Sequence, residues 1–282
     1  MAVKIVTDST ADIPEKLVKE YGIGVVPLNI HFGDEVLKDG VDIWSEEFYH
    51  RLKNEAVLPT TSQPAPGEFL KVYESIGEPG DTIISIHISG EMSGTVRTAR
   101  IAADMLEDKL KIHVIDSRYV CMALGMLVLR AAKLAKEGAS PEVIIAEVER
   151  LSKELAVYFT VNSLEYLSRN GRIGKATSFL GGLLNIKPLL GIEGGVIVPT
   201  ERIRGNFSKI ATELVTRFVE RYGEKPVELW CVHTEMPELA VALQQEAMKR
   251  LNVAASHIGL IGPIVGTHAG PYIVGMIGLP ME

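Results

Sequence analysis

The sequence predicts an α/β chain of two domains, an open and largely parallel sheet over residues 1–158 and an α+β domain over residues 159–282. Three observations predict it. In the first half, short β-branched apolar runs alternate with stretches of helical period, as strands joined by crossover helices do. Hydroxyl clusters follow those runs, at the strand ends where open α/β sheets gather their ligands. After residues 157–161 the order changes to a mixture of hairpins and crossovers, which sets the boundary near residue 158.

Residues 3–6 form the first strand, followed by Thr7-Asp8-Ser9-Thr10. Pro14 starts a helix and Gly22 ends it. Residues 24–28 read as a second strand. Ile30 to Phe32 and Val36-Leu37 flank Gly33-Asp34, a hairpin turn. Ser45, with Glu46 and Glu47 behind it, caps a helix reaching Asn54. Residues 58–67 carry three prolines around Thr60-Thr61-Ser62. Proline lowers the entropy lost on ordering a loop, so this one suits the presentation of donors to a ligand; a surface turn feeding the next helix uses the same residues.

The first half centres on residues 82–106. Ile83-Ile84-Ser85-Ile86-His87-Ile88 reads as a strand, Ser89-Gly90-Glu91-Met92-Ser93-Gly94-Thr95 as a turn, and Val96, Ala99, Ala103 and Leu106 as a helical stripe. Free N–H groups at a helix start receive anions, and glycine lets a ligand approach the backbone. Ser93 alone is also an ordinary helix cap. Residues 111–115 are another strand, 121–137 a buried helix closed by Gly138, and Ser140-Pro141 opens a helix ending near Leu155.

Beyond the boundary, residues 163–172 hold a short helical piece ending in Arg169-Asn170-Gly171-Arg172. Residues 179–184 are apolar, and Lys187-Pro188 breaks them. Residues 196–198 and Arg202-Ile203 read as short strands, 206–222 and 237–251 as helices, 227–232 and 257–261 as strands, 263–271 as a loop, and 273–277 as a final strand.

The formal charge of −7 disfavours general nucleic-acid binding and docking on anionic lipid, both of which need basic surface. Cys121 and Cys231 lie in apolar stretches without metal spacing and read as reduced core residues of a cytoplasmic protein. No signal peptide and no membrane-length apolar run is found. There is no phosphate-binding P-loop, no dinucleotide fingerprint, no H-E-x-x-H and no G-x-S-x-G elbow. What remains is a set of neutral donors and His268, in Gly266-Thr267-His268-Ala269-Gly270-Pro271. His87 and His113 read as sheet residues. Arg169 and Arg172 flank an Asn-Gly turn and suit a carboxylate or phosphate, or are plain surface charges.

These stretches resemble, in order, the motifs of the DegV family of bacterial fatty-acid-binding proteins: Asp8-Ser9-Thr10-Ala11-Asp12, Pro59-Thr60-Thr61-Ser62-Gln63-Pro64, the 89–95 turn, the Gly171-Arg172 region, Lys187-Pro188 and Gly266-Thr267-His268. The resemblance spans the chain. It implies a three-layer α/β/α N-terminal domain with a mainly parallel sheet and a two-layer α+β C-terminal domain with a mixed sheet. It implies one long-chain fatty acid in a tunnel between the domains, its carboxylate bound by Thr61, Ser62, Ser93 and the Gly94 backbone with His268 close by. It places Arg172 at the mouth or on a partner surface, with Arg169 a second candidate there, and Phe179, Leu180, Leu183 and Leu184 along the tunnel wall. It implies no cofactor, no metal and no chemistry of the chain's own; a separate ATP-dependent kinase makes acyl phosphate from the presented acid. The sequence departs from the family at Asn170, Ala269 and Tyr272, where Gly, Thr and Gly are usual.

Physical chemistry agrees with a lipid carrier. A tail of about 14 methylenes at about 0.8 kcal/mol each grosses on the order of 11 kcal/mol before association costs. A buried carboxylate then needs donors, which hydroxyls and N–H groups supply without permanent charge. The alternatives are a hydrolase or acyltransferase with Ser93 as nucleophile and His268 as base, a binder of phosphorylated ligands at the same helix start, and a purely structural protein.

Overall fold

The computed structural model describes residues 2–180 and 186–281. Through residue 154 the chain runs β1 (Val3–Asp8), α1 (Glu15–Tyr21), β2 (Gly24–Val26), β3 (Asn29–Phe32), β4 (Glu35–Lys38), α2 (Ser45–Asn54), β5 (Thr60–Ser62), α3 (Pro66–Ile76), β6 (Thr82–His87), α4 (Thr95–Asp104), β7 (Lys111–Asp116), α5 (Met122–Lys136) and α6 (Pro141–Glu154). It continues through β8 (Ala156–Val161), α7 (Glu165–Arg169), β9 (Ile186–Glu193), β10 (Val196–Arg204), α8 (Phe207–Tyr222), β11 (Val227–His233), α9 (Pro237–Arg250), β12 (Val253–Leu260), α10 (Pro263–Ala269) and β13 (Ile273–Pro280). The residues divide into two compact units, one of Met1–Lys153 with Gly262–Ile264, the other of Glu154–Ile261 with Val265–Glu282.

The first unit is built on a parallel sheet in the order β2-β1-β6-β7. Strand period two sends Val6 and Ile83 to one face, where Phe69 and Tyr73 of α3 and Ala99 and Ala102 of α4 bury them. The opposite face packs on α5, and the sheet is covered on both sides, as parallel strands require. A fully buried side chain such as Phe69 contributes about 1.5–3 kcal/mol. A separate antiparallel sheet, β4-β3-β5, carries the proline-flanked hydroxyl loop; Gly33, at φ 61°, makes the β3–β4 turn as expected. Ser45 is the first residue of α2 rather than its cap, which is Trp44 without a side-chain bond.

The second unit has a mixed sheet, β10-β9-β8-β13-β11-β12, in which only β11 and β12 run parallel. Leu214 and Phe218 of α8 and Leu243 of α9 pack against Leu229, Cys231 and Met276, giving two layers. Three expectations fail here. Lys187-Pro188 lies inside β9, not at a break: Pro188 pairs with Arg202 of β10, and the described ladder to β8 runs from Leu189 to Gly191. The two short strands are one strand, β10, with a bulge between Pro199 and Glu201. Residues 263–271 are mainly the helix α10. Pro263 opens it and Gly270, at φ 81°, closes it by donating its N–H to Gly266 O at 2.8 Å.

Candidate functional site

In the first unit the two hydroxyl segments meet through Gln63. Its Nε2 donates to Thr98 Oγ1 at 2.8 Å, on the first turns of α4, and its Oε1 lies where a β-carbon on Gly94 would stand. Glycine at 94 therefore makes room for the β5 loop against the start of α4. Ser93 stands one residue before the helix cap, Gly94. Ser93 Oγ accepts the Thr95 N–H at 3.3 Å and lies 2.8 Å from Thr95 Oγ1, so it closes a local hydroxyl turn instead of capping α4. Thr61 and Ser62 sit side by side in β5 with opposite orientation. Thr61 pairs with Ile30 and Ser62 with Asn29, so pleating sends them to opposite faces. Ser62 Oγ lies 2.8 Å from His31 Nε2 and accepts from Asn29 Nδ2 at 3.4 Å.

Behind this turn runs a polar chain with no exposed surface. Asp8 Oδ2 lies 2.9 Å from His87 Nδ1, His87 Nε2 2.6 Å from Ser85 Oγ, and Ser85 Oγ 2.9 Å from Tyr73 OH. A carboxylate only accepts, so His87 donates to Asp8 from Nδ1. Asp8 also accepts the N–H groups of Thr10 and Ile88. It thereby joins the end of β1 to the residue that precedes Ser89. The order Asp–His–Ser is that of a nucleophile relay, but Ser85 is 0% exposed and has no room for a substrate.

Two further carboxyls share this end of the unit. Burial pushes Asp12 up to about 7, against a Gly262 N–H and the Cys121 thiol. Burial pushes Asp39 up to about 8, partly offset by the Ser9 hydroxyl, while the Asp12 and Asp8 charges add to the rise. Both cysteines are buried free thiols, and burial raises each above its ordinary range.

In the second unit His268 occupies the last turn of α10, not a glycine-flanked loop. Burial first, then the Arg172 charge, lowers it to about 4, so the ring is neutral at pH 7. The segment carrying Arg172 is tied to α10 by Asn170, whose Nδ2 donates to Tyr166 O and Thr267 O, each at 3.1 Å. Arg172 itself is exposed and donates to Asn170 O at 2.8 Å. Arg169 and Leu180, expected in separate roles, line one open hollow of about 420 Å³ with Ser163, Leu164, Glu165 and Ser168. The Phe179 ring lies 4.8 Å from the Arg202 guanidinium, which donates to Ser178 O at 2.9 Å. Leu183 and Leu184 lie outside the described residues.

The sequence assigns no bonds to Gln63, His31, Asp8 and Asn170: Gln63 and Asp8 stand only as members of motifs, Asn170 as a departure from the family pattern, and His31 as one residue of a hairpin. Only Gln63 had a local signal, its place directly after the hydroxyl run. Among the described residues no group of three or more His, Cys, Asp or Glu is arranged to hold a metal ion, and no helix is long and apolar enough to cross a membrane.

A family model described as "Uncharacterised protein, DegV family COG1307" matches residues 2–280. A DegV domain-containing protein of Caldanaerobacter subterraneus is 40% identical over 278 residues, covering 97% of each chain. A Thermus thermophilus structure described as fatty acid binding of a DegV family protein superposes with a TM-score of 0.93 at 35% identity, covering 100% of both chains. The Bacillus subtilis structure described as DegV, a fatty acid binding protein, has a TM-score of 0.88 at 34% identity, again over 100% of both.

Proposed function

The chain belongs to the DegV family, and on that premise we propose that it binds a long-chain fatty acid and presents the carboxylate to a separate ATP-dependent kinase, which forms the acyl phosphate. The observation that carries the reading is the full-length likeness to the two fatty-acid-binding structures, at 34% and 35% identity. The local geometry supports the head-group assignment. Gln63 packs the β5 segment against the Gly94 turn, which joins two hydroxyl-bearing segments about thirty residues apart in sequence. Thr61, Ser93 and the Gly94 N–H are the donors of the reading; Ser62, expected beside them, is left out because it lies on the opposite face of β5, bonded to His31 and Asn29. Neutral His268 is given a supporting place beside the carboxylate, and Arg172 and Arg169 contact the head group or the kinase. Phe179 and Leu180 belong to the tail's surroundings. The chain supplies binding and orientation, and the kinase supplies the phosphoryl group and the catalysis.

Organic extraction of the purified protein and mass spectrometry test the first half of this. A bound acyl acid, or saturable uptake of one on titration, is the expected result; neither would reject the reading. Thr61→Ala and Ser93→Ala should each weaken fatty-acid binding by about 1–3 kcal/mol, through an under-satisfied carboxylate. Unchanged affinity in both would reject the head-group assignment. Mixing the loaded protein with a fatty-acid kinase and ATP should give acyl phosphate, trapped as the hydroxamate, whereas the protein with ATP alone should give none.

A further inference from the structure

We propose that His31 is a positioning residue of the head-group site: it pins Ser62, and the pin fixes which face β5 turns Thr61 toward. The proposal deepens the fatty-acid reading and rests on it. Asn29 Nδ2 donates to Ser62 Oγ at 3.4 Å, and the same oxygen is hydrogen-bonded to His31 Nε2 at 2.8 Å. The hydroxyl is thus held by two partners within the three-stranded sheet, on the face opposite Thr61. Ser62 serves the head group from behind, without touching it.

The pin matters because β5 is weakly held. It is three residues long and lies at the edge of its sheet, paired only to β3. Strand period is two, so a slip of one residue exchanges the faces of Thr61 and Ser62 and withdraws the Thr61 hydroxyl. Prolines at 59 and 64 stiffen the loop but supply no N–H for a ladder. His31 and Asn29 therefore grip Ser62 in the one register that presents Thr61.

Calorimetric titration with oleate and with oleyl alcohol tests this. The two share a tail, so the ratio of their affinities isolates the carboxylate. Ser62→Ala and His31→Val should each weaken oleate binding about fivefold, the equivalent of one hydrogen bond, and leave the alcohol unchanged. The double variant should lose no more than either single one, because both remove the same contact. His31→Gln, whose amide can bond the Ser62 hydroxyl, should keep the wild-type ratio. Equal losses for acid and alcohol, additive losses in the double variant, or undiminished oleate binding would overturn the proposal. Should His31→Val fail to fold by circular dichroism, Ser62→Ala against His31→Gln decides on the same ratio. Wild-type protein that binds neither ligand would instead reject the fatty-acid reading itself.

Discussion

Asn170 stands where the DegV resemblance places glycine, and its side chain shows what the change achieves. It bridges Tyr166 O and Thr267 O, so one amide ties the Arg172 turn to the helix bearing His268. Asn170→Ala should cost about 1 kcal/mol in urea unfolding through the lost bonds. Gly94 has the opposite logic. A β-carbon there collides with Gln63 Oε1, and that amide is held in place by its bond to Thr98. Gly94→Ala should destabilise by about 1–3 kcal/mol, the range for overpacking, and should separate the two hydroxyl segments. Gln63→Ala in the same background should recover part of the loss, which thermal unfolding of the two variants would show. Tyr272, another departure, is exposed and adopts φ 66°, a conformation that glycine takes without strain.

At the scale of elements, the parallel strands were legible because each is a short β-branched run with hydroxyls at its end. The focal strand and the helix after it lie close to where period predicts them. What escaped was set by partners distant in sequence. Pro188 reads as a breaker, yet tertiary pairing carries the strand through it, opposite Arg202 and next to the described ladder to β8. The 263–271 stretch reads as a loop because glycine and proline punctuate loops and helix ends alike. His31 looks like one residue of a hairpin, since the register that sets it against Ser62 comes from β5, thirty residues on. Asp8 and His87 are 79 residues apart, and nothing local announces their bond. Among these elements α10 depends most on one stop. Gly270 is at φ 81°, and a β-carbon there would lie 2.5 Å from the Tyr166 ring. Gly270→Ala should cost about 2–4 kcal/mol from backbone strain and the clash together, read as a lowered unfolding midpoint.

For the whole molecule, the titrating groups of the two units bias stability in opposite directions. In the first, Asp12 and Asp39 are raised from 3.8 to about 7 and about 8. Between pH 4 and these values the folded unit keeps protons that the unfolded chain has released, so their contribution is full below pH 4 and declines as pH rises. Each carboxyl accounts for about 1.4 kcal/mol per pH unit within its window. In the second, His268 is lowered from 6.5 to about 4, so the unfolded chain takes up a proton that the folded one refuses. That unit loses stability as pH falls from 6.5 to 4. Hydrogen-exchange mass spectrometry across pH 4.5–8 should show protection in the first unit decreasing, and in the second increasing, once corrected for intrinsic exchange. Asp39→Asn should flatten the first trend; an unchanged slope would show that Asp39 ionises normally.

The short insertion of Gly262–Ile264 into the first unit has a consequence for biosynthesis. A ribosome that has released residues 1–153 has made every strand of the parallel sheet, yet the Gly262 amide that meets Asp12 is still more than a hundred codons away. Vectorial maturation of the first unit therefore stays incomplete until Gly262–Ile264 have been made.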